Sequence, residues 1–339
     1  MGAIGVVAGP AVFGKKVMNA DSDTPIGSDA TELARLIVGM RAAYAKGENV
    51  MAYAREAAGA LGNSPVATLI AYDLQAGSYV AGARAHPEGR ERWCGQLAGI
   101  LNSYVTQQSS LLEVGCGEAT TLAGVLEHLK RKPRQAIGFD ISWSRCTYGR
   151  TWLAEKSVPA DLFVADLFEI PLEDSSVDVV YTSHSLEPNG GREAAAIGEL
   201  MRIARRAVVL IEPVYELAGI EAQARMREHG YVRNLKQTAE NLGAKVRDYR
   251  LLDYCGNPLN PSGLILIEKP VPACQETDGI KWRCPLTHMP LLEGDTGFYS
   301  PATGIVYPVL GGIPLLRSSH AVVASAFEAM NVKAPGNRR

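Results

Sequence analysis

Two glycines and two acidic residues stand where they can bind a nucleoside. Residues 113–117 read EVGCG and follow a short apolar run, and Asp140 ends the next β-rich run. Paired glycines on a strand-to-helix turn let the backbone approach a ligand closely, and a carboxylate at the end of the following strand can accept hydrogen bonds from two ribose hydroxyls. These residues predict a site for a cofactor that contains a nucleoside.

The same segment argues against a dinucleotide. The dinucleotide fingerprint has a third glycine three residues after the second, and this sequence has Thr120 there. A carboxylate at Glu113, two residues before Gly115, would repel a pyrophosphate but can attract a cationic amino-acid group, directly or through water. An NAD-dependent oxidoreductase stays open as an alternative at the level of the fold.

The elements that must position these residues alternate along the chain. Five β-rich runs are separated by stretches with a helical pattern, as a parallel sheet covered by helices requires. They are 111–114, 135–140, 161–165, 177–183 and 207–212. Two further runs, 245–254 and 264–268, have no room for a helix between them and must be antiparallel neighbours. The sequence therefore predicts an α/β fold with a doubly wound, mainly parallel seven-stranded sheet and a reversed strand near its edge.

The remaining segments divide the chain further. A single long helix is predicted over 219–242, between the fifth and sixth strands. Pro270 and Pro272 mark a boundary, after which the chain is short, Gly/Pro-rich and strand-like. The predicted organisation is a flexible arm, a helical cap, the sheet domain, a small β-rich domain and a tail, at 1–27, 28–109, 110–269, 273–320 and 321–339.

Taken in order, these motifs resemble those of the class I S-adenosylmethionine-dependent methyltransferases. The first motif of that family has the form acidic-x-Gly-x-Gly-x-Gly, and here Ala119, a tolerated replacement, stands in place of the third glycine. The resemblance continues at 165–171, after the third strand, and at 175–181, which leads into the fourth. It spans about residues 65–269, with the motif order of the ubiquinone and menaquinone type. It implies a Rossmann-like fold, methyl transfer and S-adenosyl-L-methionine as the cofactor.

The resemblance also implies where the methionine end of the cofactor binds. It places that end near Glu113, Gly115 and Gly117, with Cys116 between the two glycines. For Glu113 a second interpretation stays open, in which the carboxylate only interacts with a helix dipole.

At the adenosine end, the resemblance implies that Asp140 holds the ribose hydroxyls and that Ile141 packs on the adenine. Asp166 would accept from the adenine amino group, and Leu167 would supply the neighbouring backbone contact. Ser183, at the end of the fourth strand, would border the cofactor. Asp140 as a turn residue and Asp166 as a cap are the structural alternatives.

His184 and Glu187 are the candidates for a general base. They follow the fourth strand, at the carboxyl edge where open α/β sheets bind ligands. A hydroxyl or phenol acceptor must lose a proton as it attacks a methyl carbon, and a histidine or carboxylate within reach can take it. In the alternative interpretation, His184 only packs against the cofactor, Glu187 caps the next helix, and catalysis rests on proximity and alignment.

Tyr72 and Tyr79 precede the first strand and are seven residues apart. They resemble the Tyr-Asp-x-x-Ala-x-x-Tyr segment that covers the cofactor in ubiquinone and menaquinone-type methyltransferases, although the spacing after Ala76 differs. Aromatic faces can contact a sulfonium by cation–π attraction. Plain helix packing is the competing interpretation.

The segment 273–320 resembles the small zinc-ribbon-like domains of the Trm activator type. Its string Tyr-Pro-x-x-x-Gly-Ile-Pro begins at Tyr307. A zinc ribbon needs four ligands, whereas Cys274, Cys284 and His288 supply at most three at irregular spacing. We therefore expect this domain to hold no metal and to fold around a small apolar core.

The net charge of the chain limits which classes of methyl acceptor we expect. The 34 Lys and Arg residues nearly balance 36 Asp and Glu, so a formal charge of -2 provides no long-range field for phosphate backbones. We expect in-line transfer to a small molecule, such as the hydroxyl or amine of a sugar or secondary metabolite, and not to nucleic acid. The activator-like tail keeps a tRNA, rRNA or translation-factor methyltransferase open as an alternative. A non-catalytic scaffold that binds the cofactor is a further one.

The apolar segments and the cysteines of the sequence indicate where the protein is located. The apolar stretch near the start is too short for a membrane span and has the wrong charge polarity for a signal peptide. Six scattered cysteines lack the dense spacing of a secreted disulfide scaffold. We expect a cytoplasmic biosynthetic enzyme with no membrane partner, and a homodimer is possible.

Overall fold

The computed structural model describes residues 30–59, 64–270 and 279–327. Contacts divide the chain into two compact units, with the division between Ala71 and Tyr72. The predicted arm at 1–27, Cys274, and residues 328–339 of the predicted tail lie outside the described residues.

The first unit contains two short helices, α1 (Ala30–Ala45) and α2 (Val50–Ala58). Leu36 and Met40 are buried on α1 because residues four apart share one helix face. The Asn49 side chain caps α2 by accepting hydrogen bonds from the amides of Met51 and Ala52, both at 3.0 Å. A third helix, α3 (Pro65–Leu74), runs across the division.

The second unit contains seven further helices and a seven-stranded sheet. The helices are α4 (Ser78–Ala85), α5 (Pro87–Leu101), α6 (Thr120–His128), α7 (Trp143–Glu155), α8 (Glu193–Ile203), α9 (Ile220–Glu228) and α10 (Leu235–Asn241). The strands are β1 (Ser110–Val114), β2 (Gln135–Asp140), β3 (Asp161–Val164), β4 (Val177–Ser183), β5 (Ala204–Pro213), β6 (Lys245–Leu251) and β7 (Ser262–Glu268). Within the described ranges, every helix falls short of the length and apolarity that crossing a membrane requires.

The sheet has the predicted topology. Its strand order is β3-β2-β1-β4-β5-β7-β6, in which the first five strands are parallel and β7 is antiparallel to both of its neighbours. The prediction of a mainly parallel seven-stranded sheet with a reversed strand near its edge is confirmed. Since the strand order reverses between β1 and β4, the loops at their carboxyl ends diverge and leave a crevice for a ligand.

Alternate residues of the central strands face the two helical layers. On β1, Leu112 belongs to the apolar cluster that includes Leu200 of α8, whereas Leu111 packs with Leu97 of α5 and Leu122 of α6. All five residues of β1 are buried. Burial on both faces explains why the strand is almost continuously apolar, and why the charged side chain of Glu113 stands out in it.

The prediction of one helix over 219–242 is wrong, because α9 ends before Gly230 and α10 begins at Leu235. Gly230 and Asn234 both have left-handed φ angles, of 67° and 56°. Between them the amide of Val232 donates to the carbonyl of Glu187 at 3.0 Å. The helix is interrupted here because the backbone bonds instead to the loop that follows β4.

A second, five-stranded sheet lies near the end of the chain. Its strands are β8 (Leu292–Glu293), β9 (Gly297–Ser300), β10 (Ile305–Leu310), β11 (Ile313–Pro314) and β12 (Val322–Val323). Leu315 bridges to Val164 of β3, and the ring of Trp282 lies 5.0 Å from that of Phe163, edge to face. This β-rich region therefore covers the edge strand β3, which removes an exposed sheet edge, and it belongs to the same compact unit. The predicted domain boundaries stay predictions.

Candidate cofactor and acceptor site

The loop between β1 and α6 is held in a conformation that favours glycine. Gly115, Gly117 and Ala119 have φ angles of 65°, 55° and 51°. A Cβ atom on Gly115 would lie 2.4 Å from Cβ of Ser185, so a larger residue would collide with the loop that follows β4. Ala119 takes a left-handed conformation at a cost of about 1 kcal/mol, which explains how alanine replaces the third glycine.

Glu113 is a buried carboxylate with an unsatisfied oxygen. It lies on β1 opposite Tyr181 of β4 and is only 2% exposed. Its Oε2 atom has no hydrogen-bond partner within the described part of the chain. Burial raises the pKa of Glu113 to about 8. Hydrogen bonding to the Tyr181 side chain, the charge of Arg90 and hydrogen bonding to the Leu122 backbone oppose the rise. An orphaned buried oxygen is costly, so Glu113 suits a cationic ligand group.

Asp140 connects the ends of β1 and β2. Its Oδ2 atom accepts from the amide of Gly117, and its Oδ1 atom accepts from the amide of Ser142, both at 3.0 Å. Burial raises the pKa of Asp140, and the Ser142 amide and the charge of Arg145 oppose the rise. The carboxylate thus acts as a turn residue, yet each oxygen retains a lone pair that can accept from a ribose hydroxyl. Ile141 follows it and is half-buried.

Asp166 lies beside Asp140 at the edge of the sheet. The amide of Ala165 donates to the carbonyl of Asp140 at 3.1 Å, which brings the ends of β2 and β3 together. The Oδ1 atom of Asp166 accepts from the amide of Phe168 at 2.9 Å. This contact matches the capping alternative for Asp166. The predicted adenine contacts of Asp166 and Leu167 stay predictions, and both side chains are half-buried.

The two tyrosines gather around buried charges that the sequence interpretation missed. Glu118 is fully buried and accepts from the amides of Gly77 at 2.9 Å and Val80 at 2.7 Å, which fixes the start of α4. A Cβ atom on Gly117 would lie 3.1 Å from the Tyr79 ring, so this ring lies over the glycine loop. The guanidinium carbon of Arg145 is 4.3 Å from the centre of that ring. In the sequence, Glu118 could have been recognised as part of this site only because it directly follows Gly117.

His184 and Glu187 form a pair at the end of β4. His184 Nδ1 lies 3.1 Å from Glu187 Oε2, and His184 Nε2 lies 2.6 Å from the hydroxyl of Ser262. Asn260 donates to Glu187 Oε2 at 3.2 Å. Burial lowers the pKa of His184, but the hydrogen bond and charge of Glu187 outweigh it and leave that pKa raised. The structure therefore brings the two predicted base residues together, and it adds Asn260 and Ser262, which gave no local sequence signal.

Glu212 forms hydrogen bonds to the backbone of the loop that carries this pair. It lies on β5, is fully buried, and accepts from the amides of Ser185 at 3.1 Å and Glu187 at 3.2 Å. Burial raises the pKa of Glu212 to about 7, although the charge of His184 opposes the rise. Glu212 thus holds the backbone of the loop that carries the predicted base.

The family model described as a methyltransferase domain matches residues 111–207. This stretch contains the glycine loop, Asp140, Asp166 and the His184 loop. Residues 111–207 are a class I methyltransferase domain of the S-adenosylmethionine-dependent type. The predicted family, enzyme class and cofactor are confirmed at that level.

Solved structures similar to the methyltransferase domain and its surroundings have low identity to this chain. A SAM-dependent methyltransferase from Aquifex aeolicus is 14% identical with a TM-score of 0.38, covering 50% of this chain and 87% of its own. Magnesium protoporphyrin IX methyltransferase from Synechocystis, with bound S-adenosylhomocysteine, is 12% identical with a TM-score of 0.43, covering 54% and 84%. A Haloferax volcanii complex between the Trm112 methyltransferase activator and a methyltransferase is 13% identical with a TM-score of 0.45, covering 58% and 97%. A search of curated proteins gives no match.

Beyond the methyltransferase domain, Cys284 and His288 differ in burial. The buried Cys284 thiol lies 3.3 Å from the hydroxyl of Tyr307, whereas His288 is exposed. In the ranges 30–59, 64–270 and 279–327, His, Cys, Asp and Glu form no group of three that could hold a metal ion. The resemblance of this region to an activator domain stays a prediction.

Proposed function

We propose that this protein transfers the methyl group of S-adenosylmethionine to a hydroxyl or amine of a small-molecule acceptor. The observation that carries the proposal is the close approach of two loops. Gly115 of the cofactor loop packs against Ser185, next to the His184–Glu187 pair. A methyl donor on the glycine loop and a proton acceptor on the neighbouring loop are the two groups that such a transfer requires.

The residues at the ends of β1 and β2 fit the cofactor. The unsatisfied Oε2 atom of Glu113 suits the ammonium of an amino acid, and Gly115 and Gly117 leave room for a ligand against the backbone. Asp140 suits the ribose hydroxyls, beside Ile141 for the adenine. When bound, S-adenosylmethionine supplies an electrophilic methyl group on a sulfonium. Tyr79, whose ring lies over the glycine loop as well as against Arg145, would stabilise that positive charge by cation–π attraction, and Tyr72 lies against the same guanidinium.

His184 would take the proton that the acceptor loses. The Glu187 carboxylate favours the tautomer with the proton on Nδ1, which leaves the Nε2 lone pair facing the Ser262 hydroxyl. A proton that arrives at Nε2, directly or through Ser262, creates an imidazolium that Glu187 and Glu212 stabilise. General-base catalysis of this kind contributes roughly 10²–10⁴-fold in rate.

The acceptor is proposed to be small because of charge. A net charge of -2 gives no field that would attract a nucleic-acid backbone. The carboxylates of Glu187 and Glu212 beside His184 would also repel phosphate groups at the acceptor site.

Two experiments test this proposal. Calorimetric titration with S-adenosylhomocysteine measures cofactor binding, with Asp140→Ala as the control variant that we expect to lose it. Incubation with S-adenosylmethionine labelled in its methyl group, together with separated metabolite, RNA and protein fractions of a cell extract, then locates the acceptor. Label in the metabolite fraction, reduced roughly 10²–10⁴-fold in His184→Asn, supports the proposal. Label in RNA or protein alone would refute the small-molecule acceptor, and an unchanged rate in His184→Asn would refute the base.

A further inference from the structure

Arg145 is a buried cation whose two terminal Nη groups have no hydrogen-bond partner among the described residues. It lies on α7 and is 1% exposed, and its Nε atom donates to the carbonyl of Tyr72 at 2.9 Å. Neither Nη1 nor Nη2 has a hydrogen-bond partner among the residues that the structure describes. A guanidinium has five N–H donors, so most of its hydrogen-bonding capacity is unused in this buried position. Such an arrangement is costly unless an anion completes it.

Glu118 does not fill this role. Its nearest oxygen lies 3.5 Å from Arg145 Nη1, and both of its oxygens already accept from the amides of Gly77 and Val80. The rings of Tyr79 and Tyr72, with centres 4.3 Å and 5.1 Å from the guanidinium carbon, provide only their faces. Arg145 therefore has charge compensation from Glu118 and Asp140, but its Nη groups have no acceptor in the described part of the protein.

The free end of Arg145 lies at the glycine loop. A Cβ atom on Gly117 would be 3.9 Å from Arg145 Nη1. Glu113, which precedes the same loop, is also buried, and its Oε2 atom has no partner. The loop is thus flanked by the buried carboxyl of Glu113, which becomes negative when it loses its proton, and by a buried guanidinium, and each has unused hydrogen-bonding capacity among the residues of the described ranges. An amino acid in its zwitterionic form has the two complementary charges, an ammonium for Glu113 and a carboxylate for Arg145.

We infer that Arg145 binds the carboxylate of the amino-acid end of S-adenosylmethionine, an inference that rests on the proposed function. Tyr72 and Tyr79 enclose the guanidinium so that it is held in place before the cofactor arrives. Binding of this carboxylate makes Arg145 the determinant that distinguishes the full cofactor from adenosine derivatives that have no carboxylate.

The test compares ligands with and without this carboxylate. Three ligands are titrated calorimetrically into the full chain: S-adenosylhomocysteine, its decarboxylated analogue, which keeps the ammonium, and methylthioadenosine, which lacks both groups. The wild-type protein should bind the decarboxylated analogue roughly 10- to 100-fold more weakly than S-adenosylhomocysteine. In Arg145→Met that preference should disappear, while affinity for methylthioadenosine is unchanged. Arg150→Met, on the same helix but hydrogen-bonded to the carbonyl of Gly311, serves as the matched control and should keep the wild-type preference.

Other results would overturn the inference. Equal wild-type affinity for S-adenosylhomocysteine and its decarboxylated analogue, or an undiminished preference in Arg145→Met, would show that Arg145 does not bind the carboxylate. If Arg145→Met does not fold, as judged by circular dichroism, Arg145→Lys replaces it. Lysine keeps the charge but lacks the planar guanidinium, so the preference for S-adenosylhomocysteine should fall. A full preference in Arg145→Lys would again overturn the inference. If folded wild-type protein binds none of the three ligands, the proposed function fails as well, which is a different outcome from binding without discrimination.

Discussion

Two buried glutamates near the carboxyl ends of β1 and β5, the strands on either side of β4, differ in what they contact. Glu113 on β1 has an oxygen with no hydrogen-bond partner in the part of the chain that the structure describes, whereas Glu212 on β5 accepts hydrogen bonds from two amides of the loop after β4. Burial raises the pKa of both carboxyls, to about 8 and about 7. Burial and pKa alone therefore do not distinguish a ligand-binding carboxylate from a supporting one. The hydrogen-bond partners make that distinction, since Glu212 is already satisfied by the protein and Glu113 is not.

The largest effect is expected for removal of the supporting glutamate. Glu212→Ala leaves the amides of Ser185 and Glu187 buried without acceptors, so the free energy of unfolding should fall by about 2–5 kcal/mol. Urea denaturation measures this change. Glu212→Gln, which retains one acceptor oxygen, should lose about half as much. Glu113→Gln should lose almost nothing at pH 7, and an equal loss in both glutamine variants would erase the distinction between the two sites.

The contact that joins the two sites is the next one to test. Gly115→Ala combines a left-handed φ with a Cβ atom 2.4 Å from that of Ser185. We expect the free energy of unfolding to fall by about 2–4 kcal/mol, the sum of the backbone penalty and the overlap. Gly243→Ala is the matched control, because its φ of 83° is also positive but nothing lies within 4 Å of the added atom. Equal losses in these two variants would show that the loops do not press on each other.

Cofactor affinity should respond to Glu113 in particular. Glu113→Gln keeps the shape but removes the negative charge, so affinity for S-adenosylhomocysteine at about pH 8 should fall roughly 10- to 100-fold. Calorimetry measures this, with methylthioadenosine as the ligand whose affinity should not change because it has no ammonium. A parallel loss for both ligands would mean that Glu113 shapes the loop and does not bind the amino-acid end.

The smallest effect is a pH dependence of stability. The pKa of Glu113 is raised from 4.5 in the unfolded chain to about 8 in the folded protein. Its contribution to stability is fully present below the unfolded value, falls as the pH rises, and is lost once the pH passes the folded value. Between pH 6 and pH 7 the free energy of unfolding of the wild type should fall by about 1.4 kcal/mol relative to Glu113→Gln. Parallel curves for the two proteins would contradict the raised pKa.

Much of the fold could be predicted because its signals are local. Apolar runs of strand length, with helical stretches between them, fixed the seven strands, and the short link between 245–254 and 264–268 required an antiparallel pair. The helix over 219–242 was predicted wrongly because Val232 bonds to the distant loop residue Glu187. A helical pattern contains no information about such a contact.

The candidate site divides in the same way. The residue order alone was enough to select Glu113, Gly115, Gly117 and Asp140 as candidates, since the pattern that marks them occupies one strand, the turn after it and the end of the next strand. Only the tertiary structure brought Ser262 to His184, across 78 residues of chain, and Glu212 under Ser185, across 27. It alone placed Arg145 between two tyrosines, with both Nη groups lacking a partner within the described ranges. The physical reason is that the partners of a buried polar group are set by which strands and helices pack together, and this packing decides whether the group supports the protein or awaits a ligand.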